Sequence, residues 1–324
     1  MKASTFGSPL AAHLASFLSH KRSLGATYRN ESWLLGEFDR LAMGEAAGAV
    51  LDESLVRRFV SVGTRGSRSH RLTLVRQLAR FLAVEEPRTF VPPRRFLGAC
   101  RLRPVVRVLS RQEAGRFFEA CGRLPTPARS PRRGLIHGTA LRTLLLTGMR
   151  RGEVVALKEQ DADLDAGVLL IRCGKFGKSR FVPIAADLVD LLRGYRDTLR
   201  LHVPGRTQSD AFFPGPDGRR AGCPTCLYRS FREVLVLSGI AHGGRGGGPR
   251  LHDARHTFAV LRLLTWYEEG ADLNARLPLL ATYLGHVGLE ACQVYLHMTR
   301  DLVGEVTRRI EQRFGDIITA EVAP

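Results

Sequence analysis

The 324-residue chain has little of what secreted, membrane-spanning or disulfide-stabilised proteins need. Its six cysteines are irregularly spaced, it begins with no signal-peptide pattern, and it has no apolar run of transmembrane length. So few cysteines in so long a chain do not form a disulfide framework. These absences predict a cytoplasmic protein with reduced thiols and no membrane partner.

Lysine and acidic residues are also scarce. Five lysines stand beside 44 arginines, and the shortage of Asp and Glu leaves a formal net charge of +18 and a pI of about 10.7. A GC-rich genome explains most of the preference for arginine over lysine, but it does not limit acidic residues. The net charge therefore predicts a polyanionic partner, nucleic acid before any other.

One cysteine pair has metal-ligand spacing. Cys223 and Cys226 are three residues apart, but a structural zinc site needs two more ligands. The nearest downstream histidines are His242 and His252, and His252 belongs to the stretch from Leu251 to Tyr295, which is rich in phosphate-binding groups. We therefore predict no metal ion, although the sequence alone does not settle whether the pair binds one.

Nucleotide binding is also excluded. Gly177-Lys178-Ser179 resembles the end of a phosphate-binding loop. The first glycine of that motif would have to stand at position 172, which is arginine, and a strand rather than a helix follows. We predict no cofactor.

The first 105 residues are predicted to form a small helical domain and a basic linker. Apolar residues recur there at helical spacing in four stripes: Leu10, Leu14, Phe17 and Leu18; Leu34, Leu35, Phe38 and Leu41; Leu55, Phe59 and Val62; Leu72, Val75, Ala79 and Leu82. We expect the third helix to open at Asp52 or Ser54. The fourth should open near Ser69, after a break at residues 64–67.

Positive charge is concentrated in this region. Residues 51–110 contain 13 arginines and four acidic residues, which is half of the chain's excess charge. A charged run is usually a solvated surface, but one this unbalanced predicts phosphate contacts. The candidates for DNA binding are Arg65, Arg68, Arg71 and Arg76 on the last two helices, with Arg94 and Arg95 in the proline-rich linker.

Residues 106–324 are predicted to form a second, α+β domain. Ser110 and Glu113 have the spacing of a helix capping box, and an apolar helix ends at Gly148 before Arg150. Residues 161–184 have the alternation of a small antiparallel sheet with Lys175 in its hairpin turn. The predicted fold is mainly α with a small antiparallel sheet, closed by an amphipathic C-terminal helix.

The stretch from Leu251 to Tyr295 is rich in groups that hold or protonate a phosphate. His252 and Arg255 are three residues apart, so a helix would place them on one face. A second helix should stop at Gly285, directly before His286, and Tyr295 follows. This spacing predicts a phosphodiester site.

Six residues in chain order resemble the active-site set of the tyrosine recombinase (phage integrase) family. The matching segments are Thr147–Glu153, Gly174–Lys178, Leu251–Phe258, Leu284–His286 and Tyr295. The resemblance implies a helical core-binding (SAM-like) domain before the catalytic domain. It implies these catalytic residues: Arg150, Lys175, His252, Arg255, His286 and Tyr295.

The resemblance also implies the role of each residue. Tyr295 is the nucleophile, Arg150 and Arg255 hold the non-bridging phosphate oxygens, and Lys175 protonates the leaving 5′ oxygen. His252 helps to remove the tyrosine proton, and His286 hydrogen-bonds the phosphate. The product is a 3′-phosphotyrosine, so neither ATP nor a metal ion is needed.

The expected function is site-specific DNA recombination by a homotetramer on two duplex sites, for integration, excision or transposition. The segment 270–285 is about one helical turn longer than in many integrases and looks more like that of transposon-borne recombinases. Two alternatives stay open: a type IB topoisomerase, and a DNA-binding regulator without catalysis. The sequence predicts neither the target site nor accessory proteins.

Overall fold

A computed structural model describes residues 6–44, 50–93, 96, 106–172, 179–242 and 248–286. The chain divides into two compact units, Met1–Arg103 and Pro104–Pro324. The predicted C-terminal helix lies outside the described residues. No helix in the described part of the chain is both long and apolar enough to cross a membrane.

The first unit is built from helices that bury one apolar face each. The described helices are α1 (Ala11–Ser23), α2 (Arg29–Met43), α3 (Glu53–Ser61) and α4 (Arg65–Leu82). Their predicted stripes supply the core, in which Phe17, Phe38 and Phe59 are at most 2% exposed. The prediction was wrong for Val62, which follows the end of α3 and is 54% exposed. Phe38 and Phe59 pack edge to face, with ring centroids 5.1 Å apart.

Two polar caps set where α3 and α4 begin. Asp52 accepts a hydrogen bond from the Leu55 amide at 2.8 Å, so α3 starts as predicted. The prediction that α4 starts near Ser69 was wrong. The Thr64 side chain caps α4, and the helix therefore already begins at Arg65 within the supposed break.

The second unit is mainly helical around a small sheet. Ser110 and Glu113 form the predicted capping box. The described helices are α5 (Arg111–Gly122), α6 (Arg133–Thr147), α7 (Arg151–Ala156), α8 (Ala186–His202), α9 (Pro224–Leu237), α10 (Asp253–Glu268) and α11 (Leu273–Leu284).

The predicted antiparallel sheet is present. Strands β1 (Ala162–Asp163), β2 (Val168–Ile171) and β3 (Arg180–Pro183) are paired in that order. Leu169 pairs with Val182, and both are fully buried, so one face of the sheet covers the core. This architecture confirms the predicted fold class.

Helix α6 lies at the centre of the second unit and packs against α5, α8, α9 and α10. It ends at Gly148, whose φ of +62° is left-handed. Helices α10 and α11 pack together through a separate apolar cluster that includes Leu263, Leu280 and Leu284. Helix α11 ends at Gly285, as predicted, with a φ of +68°. These two helix ends carry the candidate site.

Candidate active site

The turn between α6 and α7 carries Arg150. Left-handed Gly148 lets the chain leave α6 sharply, and Arg150 is the N-cap residue of α7. Its guanidinium donates from Nη1 to Glu153 Oε1 at 2.8 Å and from Nη2 to the Gly285 carbonyl at 3.1 Å. The side chain is 24% exposed, so the arginine is held from behind and still open to a ligand.

Arg255 lies deeper and joins the ends of two helices. It is 2% exposed and sits in the first turn of α10. Nη1 donates to the Gly148 carbonyl at 3.0 Å, and Nη2 donates to the Leu284 carbonyl at 2.5 Å. Carbonyl groups at a helix C-terminus carry partial negative charge, which makes them natural partners for arginine. Arg255 therefore fixes the ends of α6 and α11 beside each other.

The two arginines converge on one short segment. Arg255 binds the carbonyl of Leu284 and Arg150 binds the carbonyl of Gly285, and His286 follows directly. The chain at His286 is itself held by a hydrogen bond from its amide to the Ala281 carbonyl at 2.9 Å. The structure thus brings together Arg150, Arg255 and His286, which are far apart in sequence.

Both candidate histidines are neutral at pH 7. Burial and the positive charge of Arg255, Arg150 and Arg180 lower the pKa of His286 to about 4. Burial of part of the ring, with the neighbouring His256 and Arg255, lowers the pKa of His252 to about 4. His252 lies directly before α10 and packs edge to face on His256, with ring centroids 4.9 Å apart. The His252 side chain is partly open to solvent. Because its imidazole is neutral at pH 7, it is able to accept a proton.

Glu153 is the shared support beneath the site, and Arg180 is a member that sequence reasoning missed. Arg180 donates to both oxygens of Glu153, at 2.9 and 2.8 Å. Burial raises the pKa of Glu153, but hydrogen bonds from Arg180 and Arg150 outweigh it and lower the pKa to about 2. One signal was available: Arg180 shares a strand face with fully buried Val182, and a buried arginine needs a carboxylate.

Two of the six predicted catalytic residues, Lys175 and Tyr295, lie outside the described residues. The hairpin strands that flank Lys175 are in place, since Ile171 pairs with Arg180.

The predicted DNA-binding arginines have unequal positions. Arg68 is exposed and donates to the Gly63 carbonyl at 3.0 Å. Arg76 donates to the carbonyls of Pro92 and Pro93, at 2.9 and 2.6 Å, so it holds the start of the linker. The side chain of Arg65, and Arg94 and Arg95, lie outside what the structure describes.

Arg71 does not fit the prediction of a phosphate contact. It is 8% exposed, is ion-paired with Glu37, and lies over the Phe59 ring at 4.7 Å from the centroid. Its charge is therefore used inside the first unit. Arg71 is not part of the apolar stripe of α4, which is why the sequence pattern predicts that it faces DNA. The Glu37 carboxylate on α2 pairs with it and holds it inside the unit.

The cysteine pair is at the start of α9. Cys223 is the N-cap residue of α9, and Cys223 and Cys226 are both exposed free thiols. Within the described ranges, no group of three or more His, Cys, Asp or Glu side chains is placed to hold a metal ion.

Known proteins resemble this chain along most of its length. The Sinorhizobium fredii protein y4rB, named as an integrase/recombinase, is 36% identical over 304 residues, covering 93% of this chain and 96% of the relative.

Two solved structures share the fold. A λ integrase tetramer bound to a Holliday junction has a TM-score of 0.56 at 16% identity, covering 86% of this chain and 77% of that one. The Tn1549 transposon integrase, in complex with transposon right-end DNA, has a TM-score of 0.59 at 12% identity and covers 93% and 99%.

The family model described as the phage integrase family matches residues 107–301, which contain the whole candidate site. It covers more than half of the chain, and the matched range includes the segments that carry the sequence resemblance. The chain therefore belongs to the phage integrase family, the tyrosine recombinases.

Proposed function

We propose that this tyrosine recombinase cuts and rejoins DNA strands at specific sites through a covalent bond between Tyr295 and a 3′ phosphate. The observation that carries the proposal is the convergence of Arg150 and Arg255 on the Leu284–His286 segment. Two guanidinium groups beside a neutral imidazole form a site for a tetrahedral anion whose charge grows during reaction.

The reaction follows from the chemistry of these groups. The Tyr295 oxygen attacks the phosphorus while the bond to the 5′ oxygen breaks, and the phosphoester bond is exchanged without loss of its energy. Neutral His252 accepts the tyrosine proton, and Lys175 gives a proton to the leaving oxygen. Arg150 and Arg255 neutralise the phosphate, which lets a phenol with an ordinary pKa near 10 act near pH 7.

The proposed substrate is duplex DNA, paired by four copies of the chain. The formal net charge of +18 supports a polyanionic partner, and the λ integrase structure is a tetramer on a Holliday junction. Within the first unit, exposed Arg68 is the best-placed described candidate for a phosphate contact, and Arg65, three residues before it, and Arg94 and Arg95 in the linker stay candidates from the sequence. Arg76 contributes by holding the linker.

We further propose that the chain moves a mobile element by integration, excision or transposition, acting on DNA in a prokaryotic cytoplasm. The support is that y4rB is named as an integrase/recombinase and that the Tn1549 integrase belongs to a transposon.

Covalent trapping tests the proposal. Nicked substrates that carry the ends of the DNA element encoding this chain are incubated with the protein without metal ion or ATP. Because the short fragment beyond the nick diffuses away, a cleaved strand stays attached to the protein. A stable adduct is the expected result. Specific binding without an adduct would indicate a regulator, and relaxation of supercoiled DNA that lacks the site would indicate a topoisomerase.

A further inference from the structure

Arg180 is a buried arginine whose donors all point towards the candidate site. It is the first residue of β3, and its side chain is 12% exposed. Nε donates to the Tyr283 carbonyl at 2.8 Å, and the two Nη groups donate to Glu153 at 2.9 and 2.8 Å. The parallel pair of bonds to one carboxylate is the geometry that a guanidinium favours and an ammonium does not provide.

Glu153 divides its bonds evenly between two arginines. Oε1 accepts from the Nη1 atoms of Arg150 and Arg180, at 2.8 and 2.9 Å. Oε2 accepts from the Arg150 backbone amide and from Arg180 Nη2, at 2.9 and 2.8 Å. Each oxygen therefore takes one bond from each residue, and neither arginine holds the carboxylate alone.

This sharing decides how much charge Arg150 offers to a phosphate. Two guanidinium groups and one carboxylate leave one net positive charge behind the site. Without Arg180, the negative charge of Glu153 would be set against Arg150 only, and no net positive charge would remain. The carboxylate would also be free to turn, pair with both guanidinium nitrogens of Arg150 and draw them away from the Gly285 carbonyl.

Arg180 also supports the segment that carries His286. It holds the Tyr283 carbonyl three residues earlier, and it packs beneath Gly285. A Cβ atom at Gly285 would lie 3.1 Å from Arg180 Cδ and 3.1 Å from Nη1, so a side chain there would push against the arginine. The left-handed Gly285 and the buried Arg180 therefore fit together.

We infer that Arg180 is a positioning residue for DNA cleavage: by sharing Glu153 it leaves the positive charge of Arg150 available to the phosphate and keeps its guanidinium aimed there, and it holds the turn before His286. The inference rests on the proposed function. It assigns no contact between Arg180 and the DNA.

The test compares Arg180→Gln and Arg180→Lys with a matched control, Arg133→Gln. Arg133 is 19% exposed and also pairs with a glutamate, Glu233, but it lies at the opposite end of α6. The 15-residue helix separates it from the Gly148 turn by about 22 Å. Single-turnover adduct formation on the nicked substrate and equilibrium DNA binding are measured for each variant.

Arg180→Gln is expected to lower the adduct rate by about 10- to 100-fold, the range for hydrogen bonds to charged groups, while the Kd for DNA changes less than about twofold. Arg180→Lys should recover part of the rate, because it keeps the charge but loses the paired bonds. Arg133→Gln should cleave like the wild type.

A substrate with a methylphosphonate at the cleavage position separates positioning from a general structural defect. This phosphorus group lacks one charged oxygen and needs less help from Arg150. The deficit of Arg180→Gln relative to the wild type should therefore shrink on it. An equal deficit on both substrates, or a rate like that of the wild type on the ordinary one, would overturn the inference. Failure of the wild type to form any adduct would instead remove the proposed function.

Discussion

Replacing Gly148 with alanine tests whether the turn before Arg150 depends on a residue without a Cβ atom. Gly148 has a φ of +62°, and an added Cβ would lie 2.6 Å from Phe258 Cδ1 and 3.1 Å from Leu284 Cδ2. Phe258 has little freedom to move because it stacks on Tyr283, with ring centroids 5.4 Å apart. The methyl group would therefore press α6 away from α10 and α11.

The magnitude has two parts. A left-handed alanine costs about 1–2 kcal/mol, and forcing a methyl group into a packed site costs about 1–3 kcal/mol more. Gly239→Ala supplies the first part alone, because Gly239 has a φ of +65° and no atom within 4 Å of the added Cβ. We expect Gly148→Ala to lower the free energy of unfolding by about 2–5 kcal/mol, and Gly239→Ala by about 1–2 kcal/mol.

The chain offers a clean probe for this measurement. Its two tryptophans are Trp33 in the first unit and Trp266 on α10 in the second. In a Trp33→Phe background, urea unfolding followed by fluorescence reports the second unit alone. Equal losses for Gly148→Ala and Gly239→Ala would refute the reasoning, since they would show that the contact with Phe258 carries no cost.

Four further tests rest on individual hydrogen bonds and charges of the two units. Thr257→Val should destabilise the second unit by about 1–3 kcal/mol in the same assay, because a buried backbone amide that donates to Thr257 at 3.1 Å loses its acceptor; Thr257→Ser should be close to wild type. The folded-state pKa values of His252 and His286, about 4, lie below the unfolded value of about 6.5, so the unfolded chain takes up protons first as the pH falls. Stability should therefore drop from pH 6.5 to pH 4, and less steeply in a His252→Asn, His286→Asn double variant; equal slopes would contradict the two pKa values. Arg71→Gln should destabilise the first unit by about 2 kcal/mol, followed through Trp33 fluorescence in a Trp266→Phe background, because its carboxylate partner on α2 loses a charged hydrogen bond. Arg68→Gln should leave stability unchanged and reduce the salt dependence of DNA binding by about one counterion. If Arg68→Gln lowered stability and Arg71→Gln lowered the salt dependence, Arg71 would be the phosphate contact and Arg68 the structural residue.

The elements that sequence predicted well depend on local signals. Gly148 and Gly285 stop their helices because a left-handed residue ends a helix wherever it occurs. Ser110 and Glu113 form their capping box within one turn. The spacing of His252 and Arg255 and the position of His286 after a helix stop were likewise readable from neighbours in the chain.

The features that sequence missed depend on distant partners. Arg180 pairs with Glu153, 27 residues earlier, and Arg71 pairs with Glu37, 34 residues earlier. A charge pattern shows that an arginine is present, but it does not show whether a carboxylate from another element lies beside it. For this reason the sequence pattern predicts a DNA contact for Arg71 and indicates no role for Arg180.

The central claim is that Tyr295 becomes covalently joined to DNA, and mapping the adduct tests it most directly. Trypsin should release residues 277–300 as one peptide, which contains two tyrosines, Tyr283 and Tyr295. Tyr283 is the other possible nucleophile in this peptide. It is stacked on Phe258, however, and burial raises its pKa to about 12. Fragmentation of the trapped peptide should place the nucleotide on Tyr295, and Tyr295→Phe should abolish the adduct. A nucleotide on Tyr283, or an adduct that persists in Tyr295→Phe, would contradict the account.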